Sequence, residues 1–416
     1  MAVAERPPNI VVIVSDDSGY ADFSLHGAAH FPTPNIDSIA ANGVTFTQGY
    51  VSASVCSPSR AGFLTGRYQQ RFGHHHNIPP RYSDSNGLPV EELTLADALR
   101  KEDYRTIALG KWHLGYAPVF HPLSRGFDDY FGFLQGARSY WKLGKKQTRL
   151  NQLLRDREPV EEDFEYITDA LGKEAAAYID AYASKPFFLY LAFNATHTPL
   201  HATKEKLELA DASLPKKRKT LAAMTMSMDD AIGEVLEAIS RNDLAEETIL
   251  IFFNDNGGQT GAGASNAPLR GKKGQPYEGG IRVPFVASWP GHWPKSVRYD
   301  LPVSTLDIFP TALKAAGGNP AAVSAPLDGV DLTPHLQPLA DSRPHQTLYW
   351  HRKNNVAVRD GDWKLLRYTE DGAMELYNIA LDPLETSNRF DEEPEIAIQL
   401  NKLLEAWLAE HSSARW

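Results

Sequence analysis

Ile10-Val11-Val12-Ile13-Val14-Ser15-Asp16-Asp17-Ser18-Gly19 is the stretch that decides the fold. Its first five residues are all β-branched, with no polar alternation, and read as a strand buried on both faces. The run stops at two adjacent carboxylates. So close together beyond a buried strand, Asp16 and Asp17 repel each other unless a cation or hydrogen-bond donors stand between them. As a dipeptide alone they are also the pattern of an Asx-capped turn.

Working outward, Tyr104 to Leu109, Pro186 to Phe193 and Thr248 to Phe253 are further strands of the same kind. Each hands over to polar residues within a few positions: Lys111 and His113 around Trp112, His197 in Asn194 to Pro199, and Asp255-Asn256 before Gly257-Gly258. Helical stretches lie between them, at Thr33 to Ala41, Glu92 to Lys101, Thr168 to Ala183, Thr220 to Arg241 and Ser304 to Ala316. Strands alternating with helices predict an α/β fold, a large mostly parallel sheet sandwiched by helices. Ligands of such sheets collect beyond the carboxyl ends of strands, so the four polar strand ends should converge. From about Arg343 the pattern changes to short strand-like runs with polar turns, closed by an amphipathic helix over Ile396 to His411. The expected organisation is a large domain over 1–342 and a smaller subdomain over 343–416, an antiparallel sheet plus helix.

Cys56 is the only cysteine in 416 residues, so it has no partner for a disulfide within the chain. A lone cysteine is most often an inert, small apolar residue. Its neighbours argue for more. Pro58 restricts Ser57 to extended backbone, and Ser59 with Ala61, Phe63 and Leu64 reads as a helix start. Cys56 then stands at a helix N-terminus, where backbone N–H groups favour an anion. Arg60, one turn on, adds a permanent cation whose fork suits a tetrahedral oxyanion.

Composition narrows the function. Hydrophobic residues at 42% and charged residues at 23% are ordinary for a globular protein. A net charge of −10 offers no basic surplus for counterion release, which argues against nucleic acid as a partner. The basic run Lys216 to Lys219 reads as a solvated helix terminus. The longest apolar run, Phe187 to Phe193, has seven residues, too few to span a membrane. Met1 to Asn9 hold no apolar leader core. Taken as given, the chain is expected in the cytoplasm, or in the periplasm or medium if a leader has been removed.

Two stretches carry weaker signals. His74-His75-His76 lies in a polar, turn-rich segment. Adjacent loop residues seldom converge on one ion, so a solvated loop competes with substrate contact. Arg138 to Asp163 interrupts the alternation and holds Arg138, Tyr140, Trp141, Lys142, Lys145 and Lys146. Aromatic rings beside cations suit an anionic ligand with a face to stack, and a solvated excursion is the alternative.

Cys56-Ser57-Pro58-Ser59-Arg60 followed by Leu64-Thr65-Gly66, Gly110-Lys111-Trp112-His113-Leu114-Gly115, Asp255-Asn256-Gly257-Gly258 and Tyr277 to Pro284 together resemble the type I sulfatase family, in the alkaline phosphatase-like superfamily. Gly126 to Gly132 also recurs there, where it reads as structural. The resemblance implies that Cys56 is oxidised to formylglycine by a maturation enzyme. It implies a metal held by Asp16, Asp17, Asp255 and Asn256. An all-oxygen donor set selects a hard cation, and the family favours Ca²⁺ with Mg²⁺ second. Three carboxylates against that ion and Arg60, Lys111 and Lys273 leave a net positive site, suited to a sulfate monoester.

In the implied mechanism a hydroxyl of the hydrated aldehyde attacks sulfur and His197 protonates the leaving alcohol. Lys273 holds a sulfate oxygen, and His113 takes the proton that lets sulfate leave. Lys111 and Arg60 orient the reacting groups. His75 from the histidine run, Arg138, Trp141 and His201 are candidates for substrate specificity. The expected substrate is a sulfated carbohydrate. A phosphate or phosphonate ester hydrolase on the same scaffold, or a silent sulfated-glycan binding protein, are the competing readings.

Overall fold

The computed structural model describes residues 6–28, 30–336, 343–368 and 372–416. In chain order the elements are β1 (Asn9–Ser15), α1 (Pro34–Ala41), β2 (Val44–Phe46), β3 (Gly49–Tyr50), α2 (Cys56–Thr65), α3 (Leu95–Arg100), β4 (Arg105–Lys111), β5 (Asp129–Phe133), β6 (Leu154–Arg155), β7 (Glu158–Pro159), α4 (Ile167–Tyr182), β8 (Phe187–Ala192), α5 (Lys204–Leu209), α6 (Lys216–Arg241), β9 (Thr248–Asn254), α7 (Glu278–Ile281), β10 (Phe285–Ser288), β11 (Val297–Tyr299), β12 (Val303–Ser304), α8 (Ile308–Ala315), β13 (Thr347–Arg352), β14 (Asn355–Asp360), β15 (Trp363–Tyr368), β16 (Met374–Asn378) and α9 (Pro394–Leu408).

Among the described residues ten strands form one sheet, in the order β11-β2-β10-β9-β1-β8-β4-β5-β6-β7. β1 is parallel to β8 and β9, and β4 to β8 and β5. Antiparallel pairs lie at the flanks, where β10 joins β9 to β2 and β6 joins β5 to β7. Every residue of β1 is buried. Its side chains alternate between two cores, as the two-residue period of a strand requires. Val11 and Ile13 pack among residues of α1, α4 and α6. Ile10, Val12 and Val14 pack among residues of α2, α3 and α8. Helices therefore cover both faces, and β1 can be apolar throughout.

The C-terminal sheet is the meander β13-β14-β15-β16, antiparallel throughout. Leu400, Leu404 and Trp407 of α9 pack against its Val356, Val358, Leu365 and Leu376. Three polar ties fix it to the large sheet's side of the molecule. The buried Lys364 ammonium donates to Glu278 of α7 and to Glu385, each at 2.9 Å. Arg359 donates to the Tyr50 hydroxyl at 2.6 Å, and Trp350 Nε1 to the Val51 carbonyl at 2.8 Å. The expected boundary at 342/343 falls at the edge of segment 337–342, which lies outside the described residues.

Three local differences from the sequence reading have physical causes. The Arg138 to Asp163 stretch is not a bare excursion: β6 and β7 add a hairpin to the sheet edge. Helix α6 starts at Lys216, directly after Pro215, so the basic run forms its first turn. Arg218 in that run is only partly exposed. It pairs with the buried Asp22 and lies 3.9 Å from the Phe31 ring centroid, an ion pair that offsets the unfavourable end of the helix dipole. No described helix is long and apolar enough to cross a membrane.

Candidate active site

The carboxyl ends of β1, β4, β8 and β9 lie side by side and bring their four polar ends together. Register does this: Ser15 stands opposite Asn254, and Gly110 opposite Ala192. Backbone bonds then lock the strand ends, Asp255 N to Ser15 O at 3.0 Å, Asp16 N to Ala195 O and Thr196 N to Asp16 O, both at 2.7 Å. The Asn254 side chain staples the two acidic turns. It accepts from Ser15 Oγ at 2.7 Å and Ser18 N at 3.2 Å, and donates to Ser18 O at 2.8 Å. Asp17 and His113 adopt left-handed backbone, φ 64° and 59°, which aims each side chain where regular continuation of the strand would not.

Helix α2 supplies Cys56 in its first turn and Arg60 one turn later, and every residue of the helix is buried. Val55 before it is extended, Pro58 is tolerated within the first turn, and Gly66 closes the helix at φ 65°. Cys56 Sγ lies 3.5 Å from Asp16 Oδ1 and 4.0 Å from Asp17 Oδ1. Lys273, from the segment between β9 and α7, places Nζ 3.3 Å from Cys56 Sγ and 2.7 Å from Asp17 Oδ2. Lys111 Nζ contacts Asp16 Oδ2 at 2.5 Å. Arg60 Nε donates to Asp255 Oδ2 at 2.9 Å, and its NH1 to the Lys111 carbonyl at 3.2 Å and Tyr190 OH at 3.0 Å. Arg60 NH2 is also 2.9 Å from Asp255 Oδ2, an ion-pair distance at an angle too bent for a hydrogen bond.

Such a cluster survives burial only because its charges compensate, since an unpaired buried ion costs several kcal/mol, about 3–5 when one partner is removed. Burial by itself would lift the Asp16 carboxyl, but Lys111, His197, Arg60 and Lys273 hold it well below the usual carboxylate range. Asp255 goes the other way: burial, joined by the Asp16 charge, pushes it up to about 6 against Arg60 and Lys111. Burial raises the Cys56 thiol to about 12. Burial, then Lys111 and Arg60, hold His113 well below its ordinary value, so its ring is a neutral base. Gly136 makes room for that ring, because a Cβ there would stand 2.4 Å from His113 Cε1.

His197 sits at the open side, its side chain 19% exposed, with Nε2 3.5 Å from Asp17 Oδ2. Its Nδ1 is 2.6 Å from the Thr198 carbonyl. A carbonyl only accepts, so Nδ1 carries hydrogen, and Nε2 is the atom on the side of the Asp17 carboxylate.

A cation fits this donor set. Asp16, Asp17, Cys56 and His197 have ligand atoms within 4.8 Å of one another. Asn256 Nδ2 donates to Asp17 Oδ1 at 2.8 Å, which places the amide beside that carboxylate. The oxygens Asp255 Oδ1 and Asn256 Oδ1 are buried with no hydrogen-bond partner. Orphaned acceptors facing other carboxylates are costly without a positive group to take them up. Carboxylate and amide oxygens are hard donors, of the kind Ca²⁺ and Mg²⁺ bind.

Comparison with known proteins agrees with this chemistry. The Sulfatase family model matches residues 8–318, and that of the N-sulphoglucosamine sulphohydrolase C-terminal region matches residues 272–412. The chain belongs to the sulfatase family. It is 35% identical over 402 residues to arylsulfatase A of Homo sapiens, covering 90% of this chain and 77% of that protein. It is 32% identical over 406 residues to N-acetylgalactosamine-6-sulfatase of Mus musculus, covering 92% and 76%. The crystal structure of Ps i-CgsB in complex with k-i-k-neocarrahexaose superposes with a TM-score of 0.92 at 35% identity, covering 99% of this chain and 95% of that one. The protein is thus a sulfuric ester hydrolase.

In this sulfatase the four expected specificity residues divide into two pairs. Trp141 and His201 remain partly exposed and stack at 6.2 Å with their planes 27° apart. They are joined to the site through Tyr140, whose hydroxyl donates to the carbonyls of Asn194 at 2.5 Å and His197 at 2.8 Å. The other two expectations are corrected. Arg138 is fully buried, its guanidinium paired with Glu162 and packed near Phe133 and Phe164. That ion pair ties down the excursion, and burial keeps the guanidinium away from the surface. His75 is buried against His351 and His411 and bonded through Nε2 to the Ser412 carbonyl at 2.9 Å, so it anchors the C-terminal strap.

Its neighbours are the informative ones. His74 Nε2 is 2.7 Å from Ser57 Oγ, and Asn77 Oδ1 accepts from Ser57 N at 3.0 Å. This segment therefore lines the Cys56 turn. Asn254, Tyr190 and Asn77 were not among the expected site residues. Of these, Asn254 was recoverable, being a polar residue closing a buried strand beside Asp255.

Proposed function

We propose that this sulfatase removes sulfate from a sulfated carbohydrate, with formylglycine at position 56 and Ca²⁺, or Mg²⁺ as second choice, among Asp16, Asp17, Asp255 and Asn256. The observation that carries the reading is the setting of Cys56. A sole cysteine opens a wholly buried helix, with Lys273 and two carboxylates of the cation group against its Sγ. The thiol sulfur stands in for the aldehyde oxygen that oxidation would place there. Cys56 to Arg60 are all buried, which favours a maturation enzyme that meets the segment before it folds. A catalytic domain over 1–342 carrying a C-terminal subdomain over 343–416 belongs to the same proposal.

When bound, the cation supplies positive charge against the sulfate oxygens, and the oxidised side chain supplies the oxygen that attacks sulfur. The residues of the chain do the rest. Arg60 and Lys111 hold the carboxylates of the cation group and balance their charge. Lys273 holds a sulfate oxygen. His197 donates the Nε2 proton to the leaving oxygen as the S–O bond breaks. His113, neutral and buried, accepts the proton released when sulfate departs. Trp141 and His201 offer a flat, partly open surface for a sugar ring. Relatives named for N-acetylgalactosamine-6-sulfate and a structure holding a neocarrahexaose support the carbohydrate reading.

His197→Ala tests the acid role. An alkyl leaving group needs the proton and nitrophenolate does not. The variant should lose about 10²–10⁴-fold on a sugar sulfate and far less on p-nitrophenyl sulfate. Equal losses on the two substrates, measured as kcat, remove His197 from the acid role.

A further inference from the structure

Arg352, at the end of β13, is a cation with no part in the chemistry at Cys56. It comes from the C-terminal sheet, almost three hundred residues from Cys56 in sequence. It reaches the same turn through the histidine segment. Its NH1 is 3.1 Å from His76 Nδ1. His76 is adjacent to Asn77, which holds the Ser57 backbone N–H next to Cys56.

The segment is held rigidly from behind. Trp416 Nε1 donates to the carbonyls of His76 at 3.3 Å and Asn77 at 3.2 Å, and its ring packs edge-on to His74 at 4.7 Å. Arg415 N also bonds Gly73 O at 3.0 Å. His76, the group Arg352 contacts, is therefore held in place before any ligand arrives, which is what makes a binding group effective.

Charge makes Arg352 unusual. The cluster at Cys56 balances three carboxylates, Asp16, Asp17 and Asp255, against three cations, Arg60, Lys111 and Lys273. Arg352 is a surplus. Among the described residues its polar contact is with a neutral ring nitrogen, and no carboxylate lies at ion-pair distance. Guanidinium donating to Nδ1 requires that nitrogen to be unprotonated, so His76 positions Arg352 without neutralising it. The side chain is half-buried, and burial pulls its guanidinium below the ordinary value while the Cys56 side chain pulls it up. A half-buried guanidinium with free donors, beside a site that receives an oxyanion, fits a second oxyanion through its fork.

We infer that Arg352, positioned by His76, forms a second anion-binding position beside the one for the scissile ester, and that the sulfatase selects substrates carrying a further sulfate or carboxylate. The sugar as scaffold for that second anion rests on the carbohydrate reading; the anion preference does not. Lys is no equivalent at 352, because it offers a point charge without the fork.

The test compares wild type, Arg352→Ala and Arg352→Lys on two matched substrate sets. The first is phenyl sulfate, 4-carboxyphenyl sulfate and a phenylene disulfate. The second is a neutral monosulfated sugar, its disulfated counterpart and a sulfated uronate. The readout is the ratio of kcat/KM for the doubly anionic over the singly anionic member of each set. Arg352→Ala should lower that ratio about 10- to 100-fold, the loss of a hydrogen-bonded charge pair, with Arg352→Lys in between. Within a set, the member whose ratio falls, carboxylate or disulfate, identifies the second anion. An unchanged ratio in both sets overturns the inference. If no sugar is turned over while the aryl esters are, the carbohydrate reading falls and the aryl ratio still decides Arg352.

Discussion

Cys56→Ser should reduce steady-state turnover by about 10³-fold or more, and it should do so by stalling the enzyme part-way. The serine hydroxyl can occupy the thiol's position, within reach of Asp16 and Lys273. It can attack sulfur once, with His197 protonating the departing alcohol. What it lacks is a second oxygen on the same carbon. Without one, His113 has no proton to remove and the Ser Oγ–S bond has no internal route to break. The expected signature is one product molecule released per enzyme, then silence, with the protein heavier by one sulfuryl group. Thermal unfolding should change little, because serine is close to cysteine in size and finds polar partners at hand. Sustained turnover by this variant at the wild-type rate would remove position 56 from the nucleophilic role.

Removing the divalent ion should be as severe. A chelator is expected to abolish hydrolysis and to lower the unfolding temperature. An ion at one hundred times its Kd adds about 2.7 kcal/mol to stability, and stripping it takes that away. Ca²⁺ or Mg²⁺ should restore both properties and Zn²⁺ should not, since the donors are carboxylates and an amide. The effect should depend on pH with a definite sign. In the ion-free protein, burial and the Asp16 charge push Asp255 up to about 6. Below that pH a proton competes for the carboxylate, so ion affinity weakens as pH falls through 6 and strengthens above it. Calorimetric titration at pH 5.5 and 7.5 reads this directly. Unchanged activity and unfolding temperature after exhaustive chelation would contradict the cation site.

Much of this molecule was legible in the sequence because its signals are local. A strand buried on both faces must be apolar at every position, so β1, β8 and β9 announce themselves. Their polar ends then had one place to meet, and Asp16, Asp17, Lys111, His113, His197, Asp255 and Asn256 do meet there. Lys273 also falls where the sequence put it, 3.3 Å from Cys56 Sγ, despite the neighbouring Lys272. Distance in sequence hid the rest. Arg138 reads as a free cation until Glu162, far enough along to be invisible as a partner, closes on it. His75 and His76 are neighbours with opposite fates, one turned into the C-terminal strap and one toward Arg352, and no pattern within the histidine run distinguishes them. Arg352 lies in an ordinary antiparallel strand. Only the docking of β13 beside the histidine segment brings it next to His76.

Turnover depends on what side chain the active protein carries at position 56. Mass analysis of the tryptic fragment ending at Arg60, taken from a preparation of measured specific activity, reads it most directly. The predicted result is an aldehyde at position 56, capturable by a hydrazide, in a fraction that rises and falls in step with activity across preparations. A fully active preparation whose Cys56 remains an unmodified thiol would contradict it.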